Sequence, residues 1–160
     1  MRLVPEVTLK AIGSFGLAFA LSLGAARAAD VRIIDVKAFL FWEHSGKLSD
    51  DIVNLPPFQN LARGEGPNHE AATAVLFDLT FSGEKNATPK YATATVDITQ
   101  SQLAGRSIVT HKAFSNFVLG ADGLQHKALL VENATCSPLA LNVHTNKSEK
   151  SVQLDFACPK

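Results

Sequence analysis

From residue 30 onward, apolar side chains recur with a period of two, and no long segment carries the spacing of an amphipathic helix. In "VRIIDVKAFLFWE", residues 31–43, the even positions Ile34, Val36, Ala38, Leu40 and Trp42 form one apolar face. Asp35 and Lys37 lie opposite them, followed by Phe39 and Phe41. The pattern predicts a strand that begins with one wet face and ends apolar on both, so that some other part of the chain must cover the two phenylalanines. In "ATAVLFDLTFSG", residues 72–83, the inward set is Thr73, Val75, Phe77, Leu79 and Phe81, with Asp78 and Thr80 facing out. "YATATVDIT", residues 91–99, sets Ala92, Ala94, Val96 and Ile98 inside. Small inner residues there suit close packing opposite the phenylalanines of its neighbour.

The second half of the chain continues the pattern less regularly. "RSIVTHKAFSNFVL", residues 106–119, is extended without clean alternation, which predicts a bulge. "GADG", residues 120–123, reads as a turn, and the unbroken "ALLV", residues 128–131, reads as a central strand buried on both faces. Leu139, Leu141 and Val143 share one face, as do Val152, Leu154 and Phe156. Pairing Leu139 with Phe156, Leu141 with Leu154 and Val143 with Val152 gives an antiparallel hairpin around "NKSE". The chain has two cysteines, Cys136 and Cys158, near the outer ends of this hairpin. An isolated pair in an oxidising compartment implies a disulfide, which in this register needs an irregularity, with Pro138 the candidate position.

About seven strands with evenly spaced turns predict an all-β fold, an antiparallel β-sandwich of immunoglobulin-like or C2-like type, with a small closed barrel as the alternative. One connection, residues 44–70, is too long for a hairpin. Such segments usually carry function or structure of their own. Ser49 would cap a short helical turn over Asp50, Asp51 and Ile52, and a second turn would start at Pro57 and end at Gly64. Its apolar residues Ile52, Val53, Leu55, Phe58 and Leu61 are then expected to fold back over Phe39 and Phe41.

Residues 1–29 are unlike the rest. Arg2 and Lys10 precede an apolar run containing three glycines, and "ARAAD" offers small residues for cleavage after Ala28 or Ala29. This predicts a secretory signal peptide and a single exported domain over 30–160, periplasmic or secreted, with no membrane span in the mature chain. The whole chain has 15 basic and 15 acidic residues. Removing Arg2, Lys10, Arg27 and Glu6 with the signal leaves 12 against 14, with no basic stripe, so nucleic acid is not an expected partner. The only methionine is Met1, which excludes thioether copper chemistry from the mature chain.

The candidate chemistry gathers at the long connection. His44 and His69 bracket it, among Glu43, Asp50, Asp51, Glu65 and Glu70. Histidine with carboxylates can ligate a transition metal, and carboxylates alone calcium, which makes His44, Asp50, Asp51 and His69 the metal candidates, although their spacing follows no ligand motif. No cofactor is otherwise expected. Ser107 lies in "GRSIV", which lacks the second glycine of a nucleophile elbow, so an enzyme is not the expected reading. Asn86, Asn133 and Asn146 stand in glycosylation-acceptor patterns that also serve as turn chemistry. The expected function is a non-catalytic binding or interaction module that contacts a protein or small ligand through Trp42, Glu43, His44, Asp50, Asp51 and Phe58. Aromatic residues would supply desolvated area there, and the acids and His44 orientation. Two alternatives are a calcium or transition-metal binding domain using the same loop, and a pilin-like assembly subunit whose exposed edge accepts a strand.

Overall fold

A computed structural model describes residues 30–65, 69–101 and 106–158. The expected signal peptide lies outside the described residues. Among these residues nine strands follow in chain order: β1 (Arg32–Phe41), β2 (Phe58–Gln59), β3 (Ala74–Ser82), β4 (Ala94–Ser101), β5 (Ser107–Phe114), β6 (Leu124–Val131), β7 (Leu139–Thr145), β8 (Glu149–Leu154) and β9 (Phe156–Ala157). A 3-10 turn at Leu61–Arg63 is the one helical element among the described residues, and no helix there is long and apolar enough to cross a membrane.

The long strands form two antiparallel sheets, β1-β3-β6 and β5-β4-β7-β8. Setting aside the short β2 and β9, the first, second and fifth long strands face the fourth, third, sixth and seventh. An immunoglobulin-like sandwich whose fourth strand has joined the sheet of the third divides its strands in the same way. The inner faces meet in one core, where Phe77, Leu79 and Phe81 of β3 and Val96 of β4 join Leu139, Leu141 and Val143 of β7, all fully buried. Each such side chain contributes about 1.5–3 kcal/mol relative to exposure, so β3 and β7 hold much of the cohesive energy. The inner sets read for β3 and β4 hold because each strand lies between two neighbours, but Thr80 of β3, expected to face out, is buried at 6% with its hydroxyl 3.3 Å from the His126 ring.

Elsewhere four expectations are corrected. In β1, Ile33 pairs with Phe81 but Asp35 pairs with Thr80, so a bulge makes Ile34 an extra residue, 45% exposed. Val31 and Ile33 take the inner places instead. The bulge expected in β5 is absent, since Ser107–Phe114 pairs with β4 without a register shift. β6 is an edge strand, not a central one, and Leu130 is 53% exposed on its outer face. In the β7–β8 hairpin, Leu139 pairs with Leu154, Leu141 with Val152 and Val143 with Lys150, two residues away from the expected register. The turn is tighter than the hydropathy suggested because Thr145 bonds Ser148 through both its N–H and its hydroxyl. A slip of two keeps every side chain on its face, so the core is unaffected.

The two sheets also touch at one side. Ser148 accepts the Ile33 N–H through its hydroxyl at 2.8 Å, and the Lys150 ammonium donates to the Ile34 carbonyl at 2.7 Å. The β1 and β8 edges are thereby joined, whereas on the other side β5 and β6 stay apart.

Candidate functional site

The long connection starts by satisfying the edge of β1. The Ala38 N–H donates to the Asp51 carboxylate at 3.1 Å, and the Ala38 carbonyl accepts the Ile52 N–H at 2.8 Å. The Leu40 N–H donates to the Ser49 hydroxyl at 2.9 Å, and its carbonyl accepts the Ser49 N–H at 3.0 Å. Trp42 is closed by Lys47 and Gly46, each at 2.9 Å, and Leu48 bridges to Phe41. Asp51 and Ser49 therefore stand in for the missing strand, which short polar side chains can do because they mimic backbone groups. The expected helical turn over 50–52 does not form, because the Ser49 hydroxyl is committed to β1 rather than to a helix start.

This path also corrects the expected cover. The segment runs along the β1 edge, not across the outer face, and leaves Phe41 38% exposed and Phe39 half-buried. Its anchors enter the core instead: Ile52 and Leu61 are buried, Leu61 completely.

The second half of the connection crosses to the other sheet. The Phe58 N–H donates to the Asp155 carbonyl at 3.1 Å and the Asn60 N–H to the Ala157 carbonyl at 2.8 Å, which makes β2 and β9 a short parallel pair. The rings of Phe58 and Phe156 stack with centroids 6.4 Å apart. The expected second turn begins at Leu61 rather than Pro57, and Gly64 caps it in the left-handed region at φ 74°, where a residue without a Cβ is unstrained. Immediately beyond β9, Cys158 is bonded to Cys136. The irregularity that admits this disulfide is the exit of the chain from β8 at Asp155, after which Phe156 and Ala157 pair with β2, rather than a distortion at Pro138.

Between the β1 edge and β2 lies a cleft of about 180 Å³ lined by Leu40, Trp42, Ser49, Asp50, Ile52, Leu55 and Phe58. Three of the six expected contact residues, Trp42, Asp50 and Phe58, thus share one surface. Trp42 is 4% exposed and belongs to the floor, Phe58 is half-buried in the wall, and Leu55 is 50% exposed. Leu55 was legible only as an apolar residue in a loop, and its place beside Trp42 comes from the turn after Ile52. Asp50 is the carboxylate of an otherwise apolar and hydroxyl lining.

The other three sit elsewhere. Asp51 faces the β1 backbone and also accepts the Val53 N–H at 3.1 Å. Glu43 accepts a hydrogen bond from the Thr73 hydroxyl. His44 is exposed on the turn beyond Trp42, where the Ser45 N–H donates to the Glu70 carboxylate at 2.9 Å. That bond holds the Glu70 carboxyl below its ordinary pKa.

Among the metal candidates, Asp51 is occupied with backbone N–H groups, and among the described residues no three His, Cys, Asp or Glu side chains converge as a ligand set. The remaining histidines lie beside carboxylates on the outer sheet faces: His111 2.6 Å from Asp97, His126 2.8 Å from Asp78, and His144 between Glu149 at 3.6 Å and the same Asp97 at 4.0 Å. Comparison of the sequence with known protein families and with curated proteins finds no match.

Proposed function

We propose that the protein is an exported, non-catalytic interaction module whose 44–70 connection receives its ligand in the cleft over Trp42. The observation that carries this reading is the union of an apolar floor with one carboxylate, Asp50, in a concavity built by the segment itself. A few placed polar groups in an apolar lining are the usual composition of a binding site. The volume of about 180 Å³ is below the roughly 300–1,000 Å³ of sites for drug-sized molecules. It suits one side chain of a partner protein or a small aliphatic group bearing a cation or a hydrogen-bond donor. Export, to a periplasm or beyond, is supported by the residue pattern of 1–29 and by the disulfide.

Trp42 is the only tryptophan, so its emission reports the cleft directly. Titration of the mature protein with butylamine is expected to give a saturable change in that emission, weakened by Asp50→Asn and by Leu55→Ser. If butylamine, butyrate and butanol all leave it without a saturable change, the cleft is not a binding site.

A further inference from the structure

The side of the sandwich away from the long connection ends in β5 and β6, and β5 is unlike any other long strand. Every position from Ser107 to Ala113 is exposed, with Ile108 at 46% and Val109 at 50% on opposite faces. Among the described residues its one ladder is to β4. At the end of β4, the Ser101 N–H is donated toward β7, to the Pro138 carbonyl. Backbone groups of neighbouring strand residues point to opposite sides, so Gln100, Ile98 and Val96 turn theirs toward β5, where they meet Ile108, Thr110 and Lys112. The N–H and C=O groups of Val109, His111 and Ala113 therefore point away from the sheet. Beneath this edge, between β5 and β6, is an open cleft of about 270 Å³ lined by Ile98, Ile108, Thr110, Leu129 and others, with Lys112 as the cation on its β5 side and Glu132 as the carboxylate beyond β6. The Lys112 ammonium forms no ion pair among the described residues.

We propose that β5 is the docking edge for an extended, acidic segment of a partner polypeptide. The segment adds a fifth strand to the β5-β4-β7-β8 sheet. It lays apolar side chains over Ile108 and Thr110 and sets a carboxylate against Lys112. Main-chain bonding to Val109, His111 and Ala113 supplies register, and the alternate side chains supply selectivity.

Charge favours a foreign segment over a second copy of the chain. Residues 106–114 contain Arg106 and Lys112 and no acid, so a second β5 brings cations and nothing to neutralise them. In the two-fold register centred on Val109, Arg106 would stand directly opposite Lys112, and like charges across a ladder are destabilising. A lysine on an open edge is a common device against self-pairing. Here it leaves the edge open to a carboxylate.

The test uses two blocked heptapeptides, Thr-Glu-Thr-Val-Thr-Ile-Thr and its analogue with Lys in place of Glu, added to the mature protein while amide exchange is followed by NMR. The glutamate peptide is expected to slow exchange at Val109, His111 and Ala113, and to bind about fivefold more tightly than the lysine peptide, the scale of an opposite-charge cross-strand pair. Lys112→Glu, an exposed change that leaves the fold intact, is expected to reverse that order. Absence of slowing with either peptide, or equal effects of both in the parent and in Lys112→Glu, overturns the proposal. Protection of the same amides without peptide, rising with protein concentration, overturns it in favour of self-pairing.

Discussion

The β1 and β5 edges face opposite fates. At β1, the N–H and C=O groups of Ala38, Leu40 and Trp42 are all taken up by residues 46–52. At β5, no described residue takes up the corresponding groups of Val109, His111 and Ala113. An edge is a template for pairing unless something occupies it. The chain occupies one edge with its own long connection, and the concavity over Trp42 is a by-product of that closure. It leaves the other edge bare but guarded by Lys112. The difference shows that the two candidate surfaces have different origins: one is built by filling an edge and the other by leaving an edge unfilled.

The contrast can be broken most severely on the closed side. Leu61→Ala removes a fully buried anchor and is expected to cost about 4 kcal/mol in urea unfolding. Replacing Cys136 and Cys158 together by serine is expected to cost about 3 kcal/mol, since the bond closes a loop with a sequence separation of 22. The same double variant should speed exchange of the Asn60 amide, which β9 protects, without changing exchange at β5. Asp51→Ala removes the acceptor of two backbone N–H groups and is expected to cost about 1 kcal/mol.

Acidification gives a smaller effect with a defined sign. Because the Glu70 carboxyl is held below its ordinary pKa by the Ser45 N–H, its contribution is complete above the unfolded-state value and is lost as pH falls through the folded-state value. Exchange of the Ser45 amide should accelerate over that window, and Glu70→Gln should flatten the response. On the open side, Ile108→Thr is expected to change stability by no more than about 0.5 kcal/mol, because that side chain is 46% exposed. A loss of several times that amount would show that β5 is already covered within the folded chain.

What hydropathy could read follows the same division. β3 and β4 were legible because a strand between two neighbours with one wet face writes its orientation into alternate residues. β1 was legible only past its bulge, since an inserted residue reverses parity and makes Ile34 look inward. The β7–β8 register was not legible, because a slip of two leaves the pattern unchanged. "ALLV" suggested a central strand, yet Leu130 lies on an outer face beside Leu76, where apolar residues form a row without being enclosed. In the long connection the apolar anchors were visible and their destination was not. That destination depends on the Ser49 hydroxyl and the Asp51 carboxylate bonding to a strand edge, an interaction with no hydrophobic signature. Trp42, Asp50 and Phe58, singled out as large or charged residues at a segment too long to be a simple turn, do line one concave surface. Glu43, His44 and Asp51 were grouped with them by proximity in sequence alone.

The stacking of Phe58 on Phe156 joins the first and last thirds of residues 30–160. As the polypeptide emerges N-terminus first, β1 through β8 can assemble before β9 exists, and contacts this distant in sequence close slowly. The pocket wall thus waits on residues made near the end of the chain, and a polypeptide clipped before residue 156 would keep its long strands while lacking the ring against which Phe58 stacks.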